Sequence, residues 1–239
     1  MNACFFQNNM NTIHQPLNRL AALALGVGLA TSTLASTNGF IIPTYRGTPG
    51  STAGGWEVFT SASTLGPANL PDLPGNLSGA SLVQLDPGAF VTGSGNIYNI
   101  AGISSFILTH NPAEPVGWIT LQVRSLGAEL DYAGVRLAYD SGGSTLFLSP
   151  NSRVELDRGV QLGVNVSTQW DWDVNTLGLT SYRLEFAAAS PSLSMDAIVL
   201  DTAAVGVVPE PSTWMLLGLG FAGLVLRRSL TPRNPSARR

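Results

Sequence analysis

Along the middle of the chain, apolar and polar residues alternate in short runs. In "GWITLQVRS", Ile119, Leu121 and Val123 fall on one side of an extended strand, and Thr120, Gln122 and Arg124 fall on the other. "GVRLAYD" aligns Val135, Leu137 and Tyr139, and "SYRLEFA" sets Tyr182, Leu184 and Phe186 opposite Arg183 and Glu185. "GWEVFTS" (55–61) reads as another strand, as do 80–85, 96–100, 104–109, 144–149, 161–166 and 194–200. Turn formers separate these runs: Asp86-Pro87-Gly88, Asp140-Ser141-Gly142-Gly143 and Pro150-Asn151-Ser152. No window of the body carries an apolar stripe at helical spacing, and no block recurs at a fixed period of about 20–50 residues. About ten short strands without a helix predict an all-β fold, an antiparallel β-sandwich of two packed sheets.

The two ends break this pattern. Near the start, Arg19 precedes an apolar stretch from Leu20 to Ala30, and Thr33-Leu34-Ala35 places small residues where a signal peptidase cuts. A positive flank, a short apolar core and a small-x-small site are the layout of a secretory signal peptide, with cleavage after Ala35. At the other end, Trp214 to Leu226 is an uncharged run of thirteen residues, fifteen with Ser212 and Thr213. As a helix, fifteen residues give roughly 22 Å, short of the roughly 30 Å hydrocarbon core but within reach of local thinning and arginine snorkelling. Pro209 and Pro211 stop the helix upstream, and the five arginines from Arg227 to Arg239 hold the tail on the cytoplasmic side.

Val208-Pro209-Glu210-Pro211, a Gly-rich apolar segment and then Arg227-Arg228 together resemble the PEP-CTERM sorting signal of Gram-negative bacteria. That resemblance implies recognition by exosortase, a membrane-embedded processing enzyme. It also implies delivery from an inner-membrane-inserted precursor to the cell surface or extracellular matrix. In this chain eleven residues follow Arg228, more than the few usual in such signals. A second resemblance covers "YRLEFAAASPSLSMDAIVLDT", which is similar to the closing strands of galactose-binding-like jelly rolls, with Asp196 inside the last apolar strand. It implies a jelly-roll form for the sandwich. The expected organisation is a signal peptide (1–35), a flexible N-terminal segment (36–55), a β-sandwich domain (56–203), a linker with the Pro-Glu-Pro motif (204–211), a transmembrane sorting helix (212–226) and a basic cytoplasmic tail (227–239).

Charge sharpens the division. Charged residues are 11% of the chain, well under the roughly 25% usual for soluble domains, and lysine is absent. From Ser36 to Val208 there are six arginines and fourteen acids, so nucleic acid is not an expected partner of the body. The single cysteine, Cys4, lies ahead of the cleavage site, which leaves the mature chain without thiol chemistry.

Candidate chemistry is sparse. His110 is the one histidine left after cleavage, because His14 belongs to the leader; its place in "LTHNPAEP" predicts an exposed loop position. No Gly-x-Ser-x-Gly elbow accompanies it, and one histidine without cysteine argues against zinc. The pairs Glu129/Asp131, Glu155/Asp157 and Asp171/Asp173 would sit about 7 Å apart on a strand, inside the roughly 5–9.5 Å that glycoside hydrolysis uses. Such pairs are common on a solvated face, and that is the favoured reading. Carboxylates can also hold calcium, but no EF-hand spacing is present, so no cofactor is expected. "TQWDWDVN" is the most pointed stretch. As a strand it sets Trp170 and Trp172 on one face and Asp171 and Asp173 on the other, either as a glycan site or as core indoles backed by surface acids. The favoured reading is the core one. The chain is therefore expected to be non-enzymatic, an exported surface or matrix protein of structural or adhesive role. The alternatives are a module binding exopolysaccharide and an exported glycan hydrolase.

Overall fold

A computed structural model of the protein describes residues 39–160 and 163–206. The expected signal peptide, sorting helix and basic tail lie outside the described residues. Within them run twelve strands: β1 (Ser51–Trp56), β2 (Ala80–Gln84), β3 (Phe90–Val91), β4 (Ile97–Asn99), β5 (Ser105–His110), β6 (Val116–Gly127), β7 (Arg136–Ser141), β8 (Ser144–Leu148), β9 (Ser152–Gly159), β10 (Val164–Asp173), β11 (Tyr182–Ala187) and β12 (Leu193–Ala204). No described residue is helical.

The strands form two antiparallel sheets. The larger has the order β3-β4-β12-β6-β10-β9, with β1 also paired to β12, and the smaller has the order β2-β5-β11-β7-β8. β4 pairs with the first residues of β12 and β1 with Ile198 to Ala203, so the two share one edge of that strand. The alternation read from the sequence sets which side chains turn inward. Ile119, Leu121, Trp170, Trp172, Ile198 and Leu200 from the larger sheet meet Leu82, Leu108, Leu137, Leu184 and Phe186 from the smaller in a single core. Each such side chain contributes about 1.5–3 kcal/mol by leaving water.

Three expectations need correction. The segment expected to be flexible, 36–55, contributes β1, and its residues from Phe40 onward pack on the larger sheet. The glycines that read as loop are there for close approach. A Cβ on Gly55 would stand 2.4 Å from the carbonyl oxygen of Ile198, and one on Gly54 would stand 2.7 Å from Cβ of Leu77. The strand expected over 55–61 ends at Trp56, because the Asp72 carboxylate takes the N–H groups of Glu57 and Val58 at 2.8 Å each and turns the chain away. β9 was not expected at all. In "SRVELDRG" only Val154 and Leu156 alternate with the charged residues, too short an apolar run to mark a strand, and most of the segment is exposed.

Asp196, the acid inside the last apolar strand, marks an irregularity in the β12–β6 register between Met195 and Ala197. The bulge turns its carboxylate toward Arg124 and to Asn96, whose Nδ2 donates at 2.8 Å.

Candidate functional site

The outer face of the larger sheet gathers its polar side chains in a row. Register sets Ser152, Asp171, Thr120 and Asp201 side by side across β9, β10, β6 and β12. Thr120 Oγ1 donates to Asp171 Oδ1 at 2.6 Å, and Ser152 Oγ donates to Oδ2 at 2.7 Å. Asp201 is fully buried and receives the Arg46 guanidinium, with Nη2 2.7 Å from Oδ2. Burial pushes the Asp201 carboxyl up, and Arg46 only partly opposes it. Residues 40–50 lie over this row as a strap. Ile41 and Gln122 exchange two hydrogen bonds at 2.8 and 2.7 Å, the Tyr45 hydroxyl donates to the Asp201 carbonyl at 3.3 Å, and Phe40 packs on Ala197 and Val199. The strap closes this face.

The four residues singled out in "TQWDWDVN" are not brought together at a surface. Trp170 and Trp172 are 0% and 1% exposed, opposite Leu121 and Ile119 on β6. Neither indole offers a free face for a sugar; the core reading is the one the structure shows. Asp171 points the other way, into the closed row. Asp173 is exposed at the end of β10, where it accepts from Asn175 Nδ2 at 2.8 Å.

His110 is also placed differently from expectation. It is the last residue of β5 and is completely buried, because the β5 alternation carries its side chain inward after Phe106 and Leu108. Its Nδ1 lies 2.9 Å from the Tyr182 hydroxyl. The Tyr182 phenol is itself pushed well up by burial and stays protonated. Burial lowers the His110 pKa to about 4, with the Ser78 backbone acting weakly the other way. The folded state therefore refuses a proton that the unfolded chain accepts near pH 6.5. Stability is full above that pH and falls by about 3 kcal/mol as the pH drops to about 4. Urea unfolding at pH 7 and pH 4 should show this loss in the wild type and its absence in His110→Phe. Equal losses in both proteins would refute the assignment.

In each of the other two acid pairs the glutamate is tied to arginine. Glu129 accepts from Arg158 Nη1 at 2.6 Å and also from the Tyr132 hydroxyl; these bonds lower its pKa to about 2. Arg158 also binds Glu155 at 2.8 Å and holds its carboxyl below the usual range. A general acid needs the opposite shift. Among the described residues no three His, Cys, Asp or Glu side chains gather as a metal-ligand set.

Two open concavities lie on the outer face of the smaller sheet. One, of about 340 Å³, is bordered by Thr109, Asp140, Thr180, Ser181 and Arg183. The other, of about 300 Å³, is bordered by Ile107, Arg136, Glu185 and the backbone around Phe186. Between them Glu185 binds Arg136 at 2.7 Å and Arg183 at 3.0 Å. Burial raises the Glu185 carboxyl, but the two arginines outweigh it and the net shift is downward. Sequence reasoning missed this face. Its residues come from β5, β7, β11 and the loop before β11, and no local motif links them.

Residues 207–229 match the family model of the PEP-CTERM protein-sorting motif. No curated protein matches the chain. The motif begins one residue after Gly206, the last described residue of the loop that follows β12. The match makes this an exported protein that is sorted by exosortase and anchored in the membrane before processing. Among the described residues no helix is long and apolar enough to cross a membrane.

Proposed function

We propose that the chain is a non-catalytic surface or matrix protein whose work is structural or adhesive, with a jelly-roll-like body displayed outside the cell and attached through its C-terminal end. The observation that carries this reading is where the tail attaches. β12 is central to the larger sheet, hydrogen-bonded to β6 along one edge and to β4 and β1 along the other. Tension on residues beyond Gly206 pulls along β12 and loads these ladders in shear, so the attachment suits a body that bears force. The acid chemistry supports the same reading. Glu129, Glu155 and Glu185 are held low by arginine, and the raised carboxyl, Asp201, is sealed beneath the strap.

In this reading the leader (1–35) directs export, and the apolar run over 212–226 spans the membrane until exosortase acts. Cells with and without exosortase test it. Loss of the tail and appearance of the body at the surface are expected in the first, and an intact, membrane-held chain in the second. An identical uncut chain in both would count against it.

A second reading rests on the two concavities of the smaller sheet, whose hydroxyls and charged groups suit a hydroxyl-rich polysaccharide. Retention of the mature protein by matrix polysaccharide, lost on Arg183→Ala and Thr109→Ala, would support it; retention unchanged by both would remove it.

A further inference from the structure

The two sheets end differently along one side of the body. The larger sheet ends in β9, whose Arg153, Glu155, Asp157 and Arg158 provide the charges that discourage strand addition. The smaller sheet ends in β8, "STLFL", which has no charge and no proline. Its first four residues are exposed, including Leu146 at 43% and Phe147 at 50%. The opposite end of the smaller sheet, β2, is partly covered by the bridge between Asn69 and Leu82. β3 is only two residues long. Among the described strands, β8 is thus the long, uncharged, uncovered edge.

The turn into β8 decides which of its backbone groups face outward. Gly142 and Gly143 have φ of 60° and 80°, the left-handed pair of a two-residue type I′ hairpin closed by Ser141 and Ser144. In such a hairpin the closing pair is hydrogen-bonded, and the pattern then alternates. Leu146 therefore bonds to Tyr139 of β7, while Thr145 and Phe147 turn their N–H and C=O groups away from the sheet.

We infer that β8 pairs edge to edge with β8 of a second copy, antiparallel, with Leu146 on the two-fold axis. In this register Thr145 of each copy faces Phe147 of the other. Each such pair exchanges two hydrogen bonds, giving four in all, and every outward group of both residues finds a partner. Leu146 meets its own equivalent in the closer, non-hydrogen-bonded position. Its side chain lies on the same side as Leu148, which packs against the core, so the pair extends the core across the interface. No like charges come face to face. A parallel pair related by a two-fold would set identical donors opposite one another, so the symmetric solution is the antiparallel one.

The consequence is orientation. Strands of both sheets run between the end of the body carrying Ala204, Val116 and Leu179 and the end carrying Gly127, Ala188 and Ser192. An antiparallel β8 pair turns the second body end for end, so the two C-terminal ends, at Gly206, face opposite ways. Paired copies bridge facing surfaces rather than neighbours on one surface. Five residues of edge are small beside the roughly 1,000 Å² of a stable interface, so each pair is weak and acts through many displayed copies at once. The bridging half of this inference rests on the adhesive role proposed above; the strand pair itself does not.

Cysteine cross-linking tests the pair in the full chain with Cys4→Ser. Cα atoms are about 4.5 Å apart in a non-hydrogen-bonded antiparallel pair, within disulfide range. Leu146→Cys should form a disulfide dimer at least about tenfold faster than the fully exposed control Leu65→Cys. Thr145→Cys mixed with Phe147→Cys should cross-link faster than either alone, because each residue lies more than about 7 Å from its own equivalent. Equal rates at positions 146 and 65 would overturn the pair, and faster self-linking of Thr145→Cys would overturn its direction. Cells displaying the wild-type chain should clump, and cells displaying Leu146→Lys should not. Clumping indifferent to that change would overturn bridging, whereas tail cleavage by exosortase would still report separately on the sorted, displayed protein.

Discussion

Replacing Arg46 with methionine should destabilise the body by about 3 kcal/mol at neutral pH, lowering its melting temperature by about 10 °C. The reason is the carboxylate left behind. Asp201 is fully buried between Thr120 and the strap, and removal of its bidentate partner leaves a charge with no water to replace it. The deficit has a definite pH dependence. With Arg46 gone, the folded-state pKa of Asp201 rises further above its unfolded value, so the folded protein gains a proton before the unfolded chain does. The cost should therefore shrink as the pH falls through that raised value. Adding Asp201→Asn should recover part of the loss at pH 7. A pH-independent deficit, or a double variant no better than the single one, would show that Arg46 acts through packing alone.

Trp170→Ala should cost about 3–5 kcal/mol, through lost burial and the cavity left behind. Trp170 lies opposite Leu121, and its ring is tilted 43° against Tyr132 at 6.2 Å, with the Arg153 guanidinium 4.4 Å from the centre of that tyrosine ring. Trp172→Ala should be of similar size, since that indole is equally buried and donates to the Leu148 carbonyl at 3.3 Å. Thermal unfolding of both variants beside Asp173→Ala separates a core role from a binding role. The indole changes should lower the melting temperature by about 10 °C or more, and the exposed aspartate should leave it nearly unchanged. Nearly unchanged melting of both indole variants, with loss of polysaccharide binding instead, would reverse the assignment.

The inward and outward faces of β6, β10 and β11 were legible in the sequence because alternation with a period of two is local. Ile119, Leu121 and Val123, like Tyr182, Leu184 and Phe186, turn inward as their spacing predicts. His110 shows where that rule was not carried far enough. Extending the alternation two residues past Leu108 places it inside, but the Asn-Pro that follows suggested a loop. β9 escaped because only Val154 and Leu156 interrupt its charged and polar residues, and Leu156 finds its cover in the strap residue Phe40, far away in sequence. β1 escaped because glycines that admit Leu73 and Leu77 look the same in sequence as glycines that bend a loop.

By itself the sequence determined the all-β class, the core face of β6, β7, β10 and β11 and, through the ordered Pro-Glu-Pro, apolar and arginine segments, the sorting of the protein by exosortase. Each of these depends on residues close together along the chain. Tertiary structure alone decided which surfaces are closed and which are open. Arg46 meets Asp201 across 155 positions, and β8 rather than β9 is left as the bare edge. Strand order and strap placement arise from pairings between distant segments, whose energies depend on what lies opposite, and no local pattern encodes that.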